Sequence, residues 1–154
     1  MPTELVLRSA TEDDTHIIFT LLMRMYQEHR MGSLNPDKVE RHVRTTLDNG
    51  VILIVENHGQ PCAVMGLKIG GFWWSDDAAL MDAFTYVSKE ARKTRAFFML
   101  VNQAKKIAEQ GRLPLLMANF GPVDEERKSK LFRRIGKPLG TTVIAGDTTK
   151  FLWD

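Results

Sequence analysis

Cysteine occurs once in 154 residues, at Cys62, so no intramolecular disulfide can form and a reducing cytoplasm is the expected setting. One cysteine and four scattered histidines also make no zinc-type cluster, and no metal is expected. Long apolar runs are absent, and no stretch reaches the ~20 residues that cross a bilayer as a helix. The first residues, "MPTELVLRSATEDD", lack the basic-then-apolar order of a signal peptide. Neither sign of charge dominates. Lys and Arg number 21 against 19 Asp and Glu, and a net +2 is too small to argue for nucleic acid by itself. What is present is an ordinary globular balance, 44% hydrophobic and 26% charged, which excludes disorder and suits one domain over 1–154.

A second shortage is local. Residues 85–100 read "TYVSKEARKTRAFFML". A strand-like run ends in a charged loop, and the loop opens an apolar-periodic helix. That is the layout of a phosphate cradle, in which backbone N–H groups at a helix start face an anion. Such cradles usually contain glycine, because the ligand comes close to the backbone. This one has none.

The rest of the chain alternates strands and helices. "LVLRSA" is a strand. Thr11 and Asp14 make a capping box for a helix carrying Ile18, Leu21, Leu22 and Met25. Asn35-Pro36 opens a second helix with the stripe Val39, Val43, Leu47, and Asn49-Gly50 closes it. "VILIVE", the turn Asn57-His58-Gly59-Gln60, "PCAVMGLKIGGFWW" and "AALMDAFTYV" predict an antiparallel meander. A helix follows from about Thr94 to Gln110, then the strand "PLLMANF", a charged helix from about Asp124 to Ile135, and a closing hairpin of "TTVIA" and "TKFLW". The order is β-α-α-β-β-β-α-β-α-β-β. It describes an α/β (α+β) domain with a mixed, mostly antiparallel sheet of about seven strands and about four helices.

That order resembles the GCN5-related N-acetyltransferase (GNAT) superfamily over nearly the whole chain. Val87 and Arg92 match the family's cofactor loop, whose glycine positions are held here by Arg95 and Phe97. The family's later Leu-Tyr-x-x-x-Gly-Phe element reads Leu131-Phe132-Arg133-Arg134-Ile135-Gly136-Lys137. The resemblance implies an acetyl-CoA-dependent N-acyltransferase using direct transfer to an amine. It implies cofactor contacts at Val87, Arg92, Lys93, Thr94, Arg95, Ala96 and Phe97, with Phe132 at the thioester end; Tyr86 reads as a polar wall of the cofactor site or as a core aromatic. Negative φ angles would make Cβ atoms tolerable in the loop, with Phe97 turned to the core and Arg95 outward. Lys89, Arg92, Lys93 and Arg95 form a cationic collar suited to a polyanion.

An attacking amine must lose a proton, and Asp82 is the one carboxylate inside the strand that leads to the loop. A strand carboxylate that faces solvent or caps a neighbour is the competing reading. Phe132 stands where the family's proton-donating Tyr stands and cannot donate. His16, His29, Trp73 and Trp74 are further candidates for an acceptor cleft. Cys62 lies away from that cleft and is not expected to carry an acyl group. The basic helix residues Arg127, Lys128, Lys130, Arg133 and Arg134 read as a wet face. Nucleic acid is disfavoured because Asp124, Glu125 and Glu126 begin the same helix. The alternative to an enzyme is an inactive GNAT-like module that binds CoA or another protein. A homodimer is compatible with the sequence, no membrane partner is expected, and the acceptor is not identified.

Overall fold

The structure, a computed structural model, describes residues 4–118, 125–140 and 144–149. Its elements are β1 (Leu5–Ser9), α1 (Thr15–His29), α2 (Pro36–Asn49), β2 (Val51–Asn57), β3 (Gln60–Gly71), β4 (Ala78–Val87), α3 (Ala96–Gln110), β5 (Leu115–Leu116) and α4 (Glu125–Ile135). One-turn 3-10 helices at Glu12–Asp14 and Lys89–Ala91 precede α1 and α3. Among the described residues the sheet has five strands, in the order β1-β2-β3-β4-β5. The first four are antiparallel, and β5 runs parallel to β4.

Both faces of the sheet are covered, which explains why "VILIV" in β2 does not alternate. Ile52 and Ile54 pack with Ile18, Leu21, Leu22 and Val43 on the α1–α2 side. Leu53 and Val55 pack with Ala96, Leu100, Val101 and Ala104 on the α3 side. The local punctuation acts as its residues predict. Thr11 and Asp14 complete the capping box, and the Asn35 side chain accepts from Lys38 N at 3.1 Å with Pro36 next to it. The β2–β3 turn places His58 at φ 50° and Gly59 at φ 78°, as a two-residue hairpin requires.

Four boundaries differ from expectation. β3 ends at Gly71, so Phe72–Trp74 belong to the hairpin tip rather than the strand. α3 begins at Ala96, two residues after Thr94, because Thr94 and Arg95 turn the chain into the helix. Of "PLLMANF", the described residues 114–118 are paired as strand at Leu115 and Leu116, and 119–120 lie outside the described residues. Of the closing hairpin, residues 144–149 carry no strand and the remainder lies outside the described residues, so five strands stand where about seven were expected. Among the described residues no helix is long and apolar enough to cross a membrane.

Candidate active site

The site is built on the edge of β4 that faces β5. Leu80 and Met81 pair with Leu115 and Leu116, and beyond them the two strands form no further ladder pair among the described residues. Ser88 N bonds Cys62 O at 2.8 Å, toward β3, so strand alternation turns the peptide groups of Val87 and Thr85 to the open edge. Midway along that edge lies a β-bulge. Gly66 is opposite Phe84 and Leu67 is opposite Asp82, leaving Ala83 as the extra residue. Ala83 and Phe84 are consecutive yet both pack on the α1–α2 side. Gly66 makes room for this, since a Cβ there would lie 2.7 Å from the tip of the Phe84 ring.

Asp82 faces the parting strands. Its Oδ1 accepts from Ala118 N at 3.0 Å and its Oδ2 from the Thr85 hydroxyl at 3.3 Å. Burial pushes its carboxyl above the usual range, and the two hydrogen bonds pull partly back. The side chain caps a neighbouring backbone N–H, which is the competing reading of this strand carboxylate. On the opposite face His42 Nε2 stands 3.4 Å from Ala83 O, with its ring edge-on to Phe84 at 5.7 Å. Nothing in the sequence marks His42, which reads as one more polar residue of an exposed helix face.

The loop needs no glycine. Arg92 has φ −66° and Arg95 φ −84°, and the only described non-glycine residues with positive φ are Arg30, His58 and Arg112, all elsewhere. The Thr94 hydroxyl donates to Ala91 O at 2.6 Å and accepts from Ala96 N at 3.2 Å. Thr94 is therefore committed to shaping the turn, and Ala96 N–H is taken. Ala96 itself is 0% exposed, so a small residue is required there. The first helical bond is Met99 N to Arg95 O at 2.9 Å. The N–H groups of Lys93, Arg95, Phe97 and Phe98 have no partner among the described residues and open the helix, where an anion is favoured. Lys93 and Arg95 are exposed beside them.

Arg92 is not a free member of the collar. Its Nη2 donates to both Glu28 oxygens at 2.7 and 2.8 Å, and its Nε to Val87 O at 3.0 Å. Tyr86 lies under the guanidinium, 5.9 Å from ring centre to Cζ, within the α1–α2 core. Burial and the adjacent Glu28 push its phenol up to about 12. With Arg24, Glu28 and Lys89, Tyr86 walls an open cleft of about 730 Å³ on the α1 side. Val87 and the 92–97 loop thus come together at the start of α3. Phe132 joins them from α4, its ring 6.0 Å from that of Phe97. Phe97 is half-buried against the α3-side core, as expected.

The other candidates fall outside this cluster. Trp73, 92% exposed, and Trp74 sit at the β3–β4 tip, the whole ~30 Å length of β4 from the loop. His16 is exposed at the start of α1. His29, at its end, has a buried Nδ1 with no partner among the described residues, and burial and Lys128 lower its pKa. Cys62 is buried, which pushes its thiol up and makes a poor nucleophile.

No protein-family model matches the sequence, and no curated protein matches it. Solved structures do match. A predicted acetyltransferase with acetyl-CoA from Clostridium acetobutylicum superposes with TM-score 0.75 at 11% identity, over 94% of this chain and 96% of that one. The aminoglycoside N-acetyltransferase AAC(6')-Iy in complex with CoA gives 0.71 at 12% identity, over 95% of each chain. A GCN5-related N-acetyltransferase from Ralstonia eutropha JMP134 gives 0.68 at 14% identity, over 93% and 98%. With four antiparallel strands, a parallel fifth parting from the fourth, and a helix opening directly from the loop after the fourth, the chain carries the GCN5-related N-acetyltransferase fold.

Proposed function

We propose that this protein is an acetyl-CoA-dependent N-acetyltransferase that acts by direct transfer to an amine. The observation that carries the reading is the edge of β4, which among the described residues is unpaired after Met81 and ends on four unpartnered N–H groups at the start of α3. The residues fit the cofactor's chemistry. The N–H groups of Lys93, Arg95, Phe97 and Phe98 suit a pyrophosphate, and Lys93 and Arg95 add charge. The open peptide edge at Thr85 and Val87 suits an amide-bearing arm laid down as an added strand. Since Val87 O is already held by Arg92, the Val87 N–H is what that residue offers. The solved relatives named as complexes with CoA and with acetyl-CoA support the same choice.

When bound, acetyl-CoA supplies a thioester whose carbonyl carbon accepts an amine and whose thiolate leaves. The chain must then take one proton from the amine and let one reach the sulfur. Asp82 and His42 flank the bulge from opposite faces and are the two candidates to take the first, and burial raises the Asp82 carboxyl. Phe132 lies beside Phe97 and has no proton to give, so the proton for the sulfur would come from another group or from water, or the step would go unassisted.

A second reading, a module that binds CoA without turning over, is favoured by the missing hydroxyl at Phe132. Two measurements separate them. CoA or acetyl-CoA at about 100 times its dissociation constant should add about 2.7 kcal/mol of stability, and millimolar ligand with no shift in melting temperature sinks both readings. Release of free thiol from acetyl-CoA in the presence of an amine panel is expected of the enzyme alone.

A further inference from the structure

The glycine-free loop has to be held in shape by something. Its backbone bonds are short-range: Ala91 N to Ser88 O at 3.0 Å, Arg92 N to Lys89 O at 3.4 Å, and Thr94 N to Ala91 O at 3.0 Å. Among the described residues, one ion pair ties it to another element, that of Arg92 with Glu28 in the last turn of α1, 64 positions away. The Glu28 side chain is 11% exposed and chelates Arg92 Nη2 with both oxygens. Arg92 Nε then reaches back to Val87 O, and the guanidinium lies over Tyr86. One side chain is thus fixed at three points, on α1, on the end of β4 and on the core, immediately before the N–H groups at Lys93, Arg95, Phe97 and Phe98. The pair is partly buried, with the Arg92 side chain 29% exposed and Glu28 11%, and such a pair is a geometric constraint more than a source of stability; removing one partner leaves the other uncompensated.

We propose that Glu28 is the positioning residue of the anion cradle: through Arg92 it sets the direction of the loop's N–H groups, and it does not itself touch the cofactor. The inference rests on the acetyltransferase reading for the identity of the anion but not for the tether. It also assigns Arg92 a structural role, its charge cancelled by Glu28, and leaves the electrostatic attraction to Lys93 and Arg95. The rival arrangement makes Arg92 a phosphate ligand that Glu28 holds back. The two differ in sign. If Glu28 positions the loop, neutralising it weakens CoA binding. If Glu28 restrains a ligand, neutralising it frees Arg92 and strengthens binding.

The experiment measures CoA affinity by calorimetry, and amide hydrogen exchange of residues 93–98 without ligand, for the parent, Glu28→Gln, Glu28→Asp, Arg92→Lys and the exchanged pair Glu28→Arg with Arg92→Glu. Glu28→Gln and Arg92→Lys should each weaken CoA binding about tenfold, the scale of a small misplacement of binding groups, and speed exchange across 93–98. Glu28→Asp, which keeps the charge and shortens the reach, should fall between, and it serves if Glu28→Gln fails to fold. The exchanged pair should recover part of the affinity and of the protection. Tighter CoA binding by Glu28→Gln overturns the proposal, as does unchanged exchange in both single variants. Because exchange is read on the free protein, a parent that binds no CoA refutes the acetyltransferase reading while leaving the tether decided.

Discussion

Asp82 Oδ1 takes the N–H of Ala118 at 3.0 Å, just past the point where β5 stops pairing with β4. A side chain continues what the backbone ladder left off, and it holds the parted strand at a fixed distance. Asparagine can accept the same bond. Because burial raises the Asp82 pKa, the folded state resists its ionisation, and the ionised carboxylate subtracts stability above the pKa of the unfolded chain. Asp82→Asn should therefore melt at or above the parent temperature at pH 7, with the gain vanishing near pH 3. Asp82→Ala should lose about 0.5–1.5 kcal/mol with the bond. If Asp82 takes the amine's proton, both variants lose turnover, whereas His42→Ala keeps it. Rate profiles against pH decide between the two groups.

Asp14 gives the opposite sign. The Arg8 guanidinium grips both its oxygens at 2.8 Å, and Asp14 also caps Thr11 N, which together hold its carboxyl down at about 2. A lowered pKa contributes stability that is complete above the unfolded value near 4 and is lost as pH falls toward 2. The Asp14 side chain is 9% exposed, and the contribution is roughly 2 kcal/mol. Acid unfolding followed by circular dichroism should show a steep limb between pH 4 and 2 in the parent and a flatter one in Asp14→Asn, which should also be less stable at pH 7.

Phe132 is half-buried rather than enclosed, so Phe132→Ala should cost about 1–2 kcal/mol, below the ~3–5 kcal/mol of a fully buried ring. Phe132→Tyr adds only a hydroxyl at the mouth and should melt within 1–2 °C of the parent. It should raise kcat for acetyl transfer. An unchanged kcat means that departure of the thiolate is not the slow step.

Reversing the two exposed loop charges, Lys93→Glu with Arg95→Glu, should leave the melting temperature in place and weaken CoA binding by about tenfold or more at low salt. The deficit should shrink at 0.5 M salt, where the Debye length is about 4 Å. A salt-independent deficit would point to a changed loop shape rather than a changed field. Arg92 is left intact in this variant because it belongs to the Glu28 tether.

The parts of the fold legible in the sequence were those written locally. The Asn35-Pro36 start of α2, the His58-Gly59 turn and the stripe of α1 are each fixed by residues a few positions apart. Within the described part of "PLLMANF" only Leu115 and Leu116 pair as strand, because the segment has the composition of a strand while its pairing depends on where β4 stops. In the site, the helix-start layout was legible and the partners were not. Nothing near Arg92 announces Glu28, and nothing near Ala83 announces His42, since both contacts arise from helices laid across the sheet by the core. Thr94 looked like a phosphate ligand because its two bonds, to Ala91 O and Ala96 N, are visible only once the turn is folded.

The negative φ angles of the loop carry a consequence for how such a site can vary over evolutionary time. A turn that requires glycine allows one residue at that position, and any search for the spelling finds it. A turn whose described torsions lie in the right-handed region accepts almost any side chain, provided Ala96 stays small and the Arg92 anchor keeps its distant partner. Constraint then moves from a contiguous string of letters to pairs of residues far apart in the chain. Such a protein can drift until no short pattern identifies it while its backbone still overlays its relatives at TM-scores near 0.7.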